Sequence, residues 1–328
     1  MKVKTNALSH CRRRMLQIQF CLLLMLMAGL QQAVAGAAYL GYSNYQIITD
    51  FSFHPEPYFE QMDRHGVNLQ RIWILGYSNS ADEINETMPF VLSGEKYDLR
   101  RIDPAYLRRL TEVLEAAKMH NQQVMLTLFD HWSLATSDVF PRTPWFWKNN
   151  TDKLLRKPFP EFYNLHNRKL VQIQRNYVEE IVRASAPFHP IYEIMNEAGG
   201  ADCDSLNHWH KQVAGWITEL DPDARIAVNI RNGCMNVVDQ PWVDVVSFHA
   251  DEWQHKGICN LAEKYKDAKT VVIDTDGAWK IRHDNDLVRD WVKQSLSCGA
   301  SFNHKDDIYA PDTEALTILQ QASRGTSE

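Results

Sequence analysis

Ile191-Tyr192-Glu193-Ile194-Met195-Asn196-Glu197 sets the reading of the whole chain. It opens as a short, mostly apolar β-segment and ends in two polar side chains. A parallel strand buried on both faces has this near-continuous apolar character. Polar residues at its far end would then face the C-terminal edge of the sheet, where ligands bind. Seven other β-branched or aromatic runs share the pattern, at 38–42, 68–75, 123–128, 225–230, 243–248, 270–273 and 300–303.

Helical patterns lie between many of these runs. Asp103-Pro104 starts one, with Asp as N-cap and Pro at the first helical position. Leu107, Leu110, Val113, Leu114 and Ala117 give its apolar face. Leu170, Ile173, Tyr177 and Ile181 stripe a second helix. Leu206, Trp209, Val213, Ile217 and Leu220 stripe a third, and Leu287, Trp291 and Leu296 a fourth. Trp209, Trp216 and Trp291 belong on these buried faces. Strand alternating with helix predicts βαβ units and a parallel sheet. Eight strands favour an α/β fold of the closed (β/α)8 TIM barrel type. A doubly wound open sheet is the alternative, but no glycine-rich phosphate turn follows the first strand. The link between the fifth and sixth strands is short, so its helix is expected to be vestigial. Two connections are long, 76–102 and 131–167, and the second carries Trp132, Trp145, Phe146 and Trp147.

The 328 residues are 45% hydrophobic and 23% charged, which excludes collagen-like and wholly disordered chains. A net charge of -6 argues against a nucleic-acid partner held through phosphates. Residues 1–35 read as a signal peptide. Lys2, Lys4 and Arg12 to Arg14 form a basic start, 20–30 is apolar, and Ala33-Val34-Ala35 precedes a cleavage point at Gly36. The apolar run is shorter than the roughly 20 residues that span a bilayer. Its removal takes away basic residues and no acids, leaving a charge of -11. The expectation is a secreted or periplasmic monomer with one domain over 36–328 and no stable membrane association. Cys203, Cys234, Cys259 and Cys298 remain and allow up to two disulfides in any of three pairings. None forms a CxxC pair, which argues against a thiolate zinc site. Asn85-Glu86-Thr87 and Asn149-Asn150-Thr151 match the glycosylation sequon.

Polar residues gather at six strand ends. Arg71 lies in the second strand; Asp130, His131 and Trp132 end the third; Asn196 and Glu197 end the fourth. His249 ends the sixth, Asp274-Thr275-Asp276-Gly277 the seventh, and Asn303, His304 and Lys305 the eighth. Two carboxyls, an arginine and nearby aromatics suit glycoside hydrolysis. One acid protonates the leaving oxygen while a second carboxylate attacks the anomeric carbon or activates water. Burial and a neighbouring carboxylate keep the acid protonated. A metal-dependent barrel hydrolase would use His131, His249, His304 and Asp276 instead. The first strand, however, offers no His-x-His, and no HExxH occurs. No GxSxG supports a serine hydrolase. A carbohydrate-binding barrel without turnover is the other reading.

The 191–197 segment resembles the fourth-strand signature of clan A glycoside hydrolases, the cellulase-like barrels of glycoside hydrolase family 5 and its relatives. Gly66-Val67-Asn68-Leu69-Gln70-Arg71-Ile72 is similar to their second strand, and Val243-Asp244-Val245-Val246-Ser247-Phe248-His249 to their sixth. The resemblance implies Glu197 as acid/base, Asn196 as a contact to the sugar 2-hydroxyl, and Arg71 and His249 as groups that orient the nucleophile. It departs at the seventh strand, where those enzymes usually place Glu, one residue and then Gly. Here Thr275 takes the place of Glu between two aspartates. Asp274 or Asp276 is the expected nucleophile, with Asp274 favoured because it directly ends the strand. Asp130, His131, Trp132, Trp253, Trp279, Tyr42 and Lys305 are candidate substrate contacts. Glu193 is read as a barrel-interior residue. The implied activity is retaining hydrolysis of a β-linked poly- or oligosaccharide, with no metal or cofactor.

Overall fold

The structure is a computed structural model that describes residues 38–44, 46–75, 87–230, 233–250, 255–265, 267–276, 278–305 and 311–325, without the side chains of His255, Lys256 and Trp279. The chain divides into Met1–Ala38 and Tyr39–Glu328, and the fold below is that of the second unit. The expected signal peptide, Asn85 and Glu86 of the first sequon, Trp253 and the Trp279 side chain lie outside the described residues.

In chain order the strands are β1 (Leu40–Ser43), β2 (Leu69–Trp73), β3 (Phe90–Ser93), β4 (Lys96–Ile102), β5 (Gln123–Asp130), β6 (Ile191–Asn196), β7 (Arg225–Asn229), β8 (Val245–His249), β9 (Thr270–Asp274) and β10 (Ser301–Lys305). Eight close a parallel barrel in the order β1-β10-β9-β8-β7-β6-β5-β2. These are the eight runs read from the sequence, and the expected (β/α)8 barrel is the fold. The remaining two strands, β3 and β4, form an antiparallel hairpin inside the long connection after β2.

The described helices are α1 (Pro55–Arg64), α2 (Pro104–Met119), α3 (His131–Ala135), α4 (Arg168–Ser185), α5 (Cys203–Leu220), α6 (Met235–Val238), α7 (His255–Tyr265), α8 (Trp279–Arg282), α9 (Asn285–Ser297) and α10 (Thr313–Gly325). The Asp103 side chain accepts the Ala105 N–H at 2.7 Å and caps α2, with Pro104 in its first turn. Helix α6, between β7 and β8, has a single turn, as the short connection implied. Trp209, Trp216 and Trp291 are buried in the layer between strands and helices. Among the described residues no helix is long and apolar enough to cross a membrane.

Strand periodicity places the polar centre. A separate apolar cluster takes Leu69, Met125, Ile191, Ala227, Val245 and Val272, one residue from each of six barrel strands. Side chains two positions apart share a face of a strand. The next residues on that face are Arg71, Thr127, Glu193, Asn229, Ser247 and Asp274, all buried. An apolar floor thus supports a polar tier, and the tier sits toward the strand C-termini.

Two disulfides form, Cys203–Cys234 and Cys259–Cys298, which is one of the three possible pairings. The first joins the start of α5 to the residue before α6. The second joins α7 to the residue after α9.

Candidate active site

Arg71 is the hub of the polar tier. Its Nη2 donates to Glu193 Oε1 at 2.6 Å and to Asn196 Oδ1 at 2.7 Å. Its Nη1 lies 3.4 Å from Asp274 Oδ2 and 3.3 Å from Asp276 Oδ2. Burial alone would weaken the cation. Glu193, Asp274 and Asp276 outweigh burial and hold the guanidinium well above its ordinary pKa. Trp73 carries the guanidinium on its ring, 4.4 Å from the centroid, with Lys305 Nζ at 5.6 Å. Such cation–π contacts strengthen when desolvated.

Asn196 is held at both ends of its amide, because its Nδ2 also donates to Asp130 Oδ1 at 2.8 Å. Burial pushes the Asp130 carboxyl above its ordinary range, against the hydrogen bond from Asn196. The other Asp130 oxygen accepts the Ser133 N–H at 2.9 Å and caps α3. Asp130 therefore positions Asn196 and the start of α3.

Glu197 follows β6 in the left-handed region, at φ 52°. Its N–H donates to Asn229 Oδ1 at 2.8 Å, and the Ala198 N–H to the Asn229 carbonyl at 2.9 Å. Asn229, the last residue of β7, thus fixes the bend that turns Glu197 out of the strand. The loop beyond passes close to α3. A Cβ on Gly200 would stand 2.8 Å from the His131 ring and 3.0 Å from Phe159. His131 stacks on Phe159 with 4.5 Å between centroids, and its Nδ1 lies 3.2 Å from the Tyr163 hydroxyl.

The two aspartates after Ile273 are not equivalent. Asp274 is fully buried beneath the rim. It accepts the Asn303 amide at 2.7 Å and the Asp276 N–H at 2.6 Å. Burial raises its pKa, although Arg71 opposes the shift. Asp276 lies higher. Lys305 Nζ pairs with Asp276 Oδ1 while Arg71 approaches Oδ2. Burial would raise the Asp276 pKa, but Lys305, His249 and Arg71 together hold it far below the ordinary carboxylate range.

Glu197, His249 and Asp276 converge. One ligand atom from each lies within 4.8 Å of the others, and His249 Nδ1 is 3.3 Å from Glu197 Oε1. All three side chains are buried. His131 and His304 do not join them. His131 is in the stack described above, and the His304 ring lies 5.4 Å from Tyr42. The four-residue metal set considered from the sequence is therefore not assembled. A cation between Glu197 and Asp276 would also face two positive side chains already on Asp276.

The structure thus brings together Arg71, Asn196, Glu197, His249, Asp274, Asp276 and Lys305. Lys305, expected as a substrate contact, has its ammonium on Asp276. Tyr42 is 1% exposed, and its hydroxyl accepts the Asp312 N–H at 3.0 Å, so it packs rather than lines an opening. Trp132 is half-buried at the start of α3. Trp73, Asn229 and Thr127, whose hydroxyl donates to Glu193 at 2.9 Å, were passed over in the sequence. All three are on the strands read from the sequence, at or near their C-terminal ends.

No protein-family model and no curated protein matches the chain. Solved structures do. An endo-1,4-beta-mannanase from Rhizomucor miehei is 14% identical, covering 89% of this chain and 95% of its own, with a TM-score of 0.63. An endo-beta-1,4-mannanase from Thermotoga petrophila is 17% identical over 88% of this chain and 76% of its own, with a TM-score of 0.59. PbGH5A, a glycoside hydrolase family 5 enzyme from Prevotella bryantii, is 15% identical over 89% and 97%, with a TM-score of 0.60. Across most of its length, the chain shares the (β/α)8 barrel fold of these three enzymes.

Proposed function

We propose that the protein is an exported glycoside hydrolase that cleaves a β-linked poly- or oligosaccharide with retention of anomeric configuration. The observation that carries this reading is the buried approach of Glu197 and Asp276, with carboxylate oxygens within 4.8 Å of one another. Retaining glycosidases hold their two carboxyls about 5–5.5 Å apart, whereas inverting ones leave roughly 6.5–9.5 Å for a water.

Asp276 is the nucleophile. It stands beside Glu197, and Lys305 and Arg71 hold it ionised. Asp274 lies below and fixes the backbone of Asp276. In the first step an Asp276 oxygen attacks the anomeric carbon. The glycosidic bond breaks, and the leaving oxygen takes the Glu197 proton. In the second step water attacks the same carbon and gives its proton to Glu197. The ester bond breaks, and its electron pair returns to Asp276. Asn196 is oriented by Arg71 and Asp130 to meet a sugar hydroxyl. No step calls for a metal or cofactor. The similar mannanases, and a PbGH5A variant solved in complex with a xyloglucan tetradecasaccharide, make mannan and xyloglucan the first substrates to test.

The test is a hydrolysis screen with the chain starting at Gly36. Turnover is expected to survive a chelator. Glu197→Gln and Asp276→Asn should each lower kcat by about 10³-fold or more, since either loss removes one half of a two-carboxylate mechanism. Proton NMR should show the β-anomer as the first product. Unchanged turnover in both variants, or an α-anomer first, overturns the assignment.

A further inference from the structure

We infer that Lys305 is a positioning residue that, with Arg71, grips both oxygens of Asp276 and so favours breaking the glycosyl ester over forming it. This rests on the glycosidase reading above and goes beyond it by dividing the two half-reactions. Lys305 ends β10, is buried, and places Nζ on Asp276 Oδ1. Arg71, from β2, places Nη1 3.3 Å from Oδ2. β10 is the neighbour of β9 and β2 lies three places along the barrel, and each carboxylate oxygen has its own cation.

The consequence follows from charge. When Asp276 attacks the anomeric carbon it becomes a neutral ester, and the leaving oxygen takes the Glu197 proton. Lys305 and Arg71 then lose their counter-charge in a site with little water. The clamp therefore stabilises the free carboxylate relative to the ester. It costs the enzyme in the first half-reaction. It helps in the second, where water attacks the anomeric carbon, a proton passes to Glu197, and the electron pair returns to Asp276. A buried charge-assisted pair is strong enough to matter here. The other charged or titratable groups around Asp276 are His249 from β8, Glu197 after β6, Asp130 at the end of β5, and Asp274 from its own strand. Arg71 remains in the variants below, so the change isolates Lys305.

Lys305→Met should shift the balance. With 2,4-dinitrophenyl β-cellobioside and β-mannobioside as probes, ester formation becomes faster relative to ester breakdown. The pre-steady-state burst of dinitrophenolate should then be larger relative to the steady-state rate than in the wild type. Reactivation of enzyme trapped with a 2-deoxy-2-fluoro β-glycoside should slow by about tenfold or more. Because the lost cation favoured the ionised form, the acid limb of kcat/KM should move to higher pH, by roughly 1–3 units. Lys305→Arg keeps the charge and should retain the wild-type limb. Lys305→Gln replaces the methionine variant if that one fails to fold. A folded uncharged variant with no burst larger than the wild type's and an unmoved acid limb overturns the inference. If it does so while Glu197→Gln and Asp276→Asn abolish turnover, the glycosidase reading stands and only the role of Lys305 falls. If neither probe nor glycan is hydrolysed by the wild type, both fall together.

Discussion

Glu197 pays for its position in backbone strain. A non-glycine residue in the left-handed region costs of order 1–3 kcal/mol and persists only where its surroundings over-determine it. Here Asn229 does so, by accepting the Glu197 N–H on its side chain and the Ala198 N–H on its carbonyl. Asn229→Ala removes the first of these and leaves a buried N–H without that acceptor. The expected cost is about 1–3 kcal/mol of stability, the usual penalty for such a group. Because the bend aims the proposed acid, kcat should fall by about tenfold or more with KM little changed, as for a misplaced catalytic group. Urea unfolding and steady-state kinetics measure the two effects. A variant that loses stability but keeps kcat would show that β6 alone directs Glu197. The polar strand ends Arg71, Asn196, Glu197, His249 and Asp276 stood out in the sequence because a polar group closing an apolar run needs explaining. Asn229 ends β7 but stands inside its run as read from the sequence, with Ile230 after it. Its importance comes from register, since β7 sets it beside the bend after β6, and one chain's residue order carries no such information. The different surroundings of Asp274 and Asp276 were hidden for a similar reason. Ending the strand puts Asp274 in the barrel, where Asn303 and Arg71 bind it, while the residue past the strand reaches the rim.

At the scale of elements, legibility followed burial. The barrel strands announce themselves because both faces are covered, and α2, α4, α5 and α9 because each has one long apolar stripe. The β3–β4 hairpin did not. Lys96–Ile102 is rich in charge, and its order is tertiary: Tyr97 exchanges backbone hydrogen bonds with Asn149 and Thr151, and Phe90 packs against Trp145 and Tyr177. Cysteine pairing was equally hidden, because it depends on which helix starts and ends meet. The two bridges close loops of similar length, with separations of 31 and 39 residues. In the loop-entropy account each contributes about 3–4 kcal/mol, so losing either should lower stability by a comparable amount. Activity should separate them. Cys203–Cys234 ties the segment that follows Glu197 to the one that follows Asn229, whereas Cys259–Cys298 joins α7 to the end of α9. Cys203→Ser with Cys234→Ser is therefore expected to lower kcat several-fold at a temperature where the protein stays folded. Cys259→Ser with Cys298→Ser should leave kcat within about twofold of wild type. Equal losses of kcat would show that neither bridge acts on the acid's loop in particular.

For the molecule as a whole, both disulfides and the N-terminal segment bear on the same question, the compartment in which the chain works. Structural disulfides form and persist in oxidising surroundings. All four cysteines left after residue 35 are paired. The barrel also begins where a cleaved chain would allow. Tyr39 is the first residue with described barrel contacts: its N–H donates to Ser301 Oγ at 2.9 Å, and its carbonyl accepts the Phe302 N–H at 2.9 Å. Cleavage after Ala35 leaves every one of these contacts intact and places the new terminus four residues before β1. If residues 1–35 are a signal, expression in a secreting host should deliver a chain whose mass and N-terminal sequence start at Gly36, with no free thiols. The chain made directly from Gly36 in an oxidising compartment should have the same melting temperature and kcat. Made in a reducing cytoplasm, it should carry four free thiols and melt roughly 10–30 °C lower, because both bridges are lost and each kcal/mol shifts the melting point of a large domain by roughly 2–4 °C. A secreted chain that keeps residues 1–35 would instead make that segment a lasting anchor, and the proposed free, exported enzyme would become a membrane-tethered one.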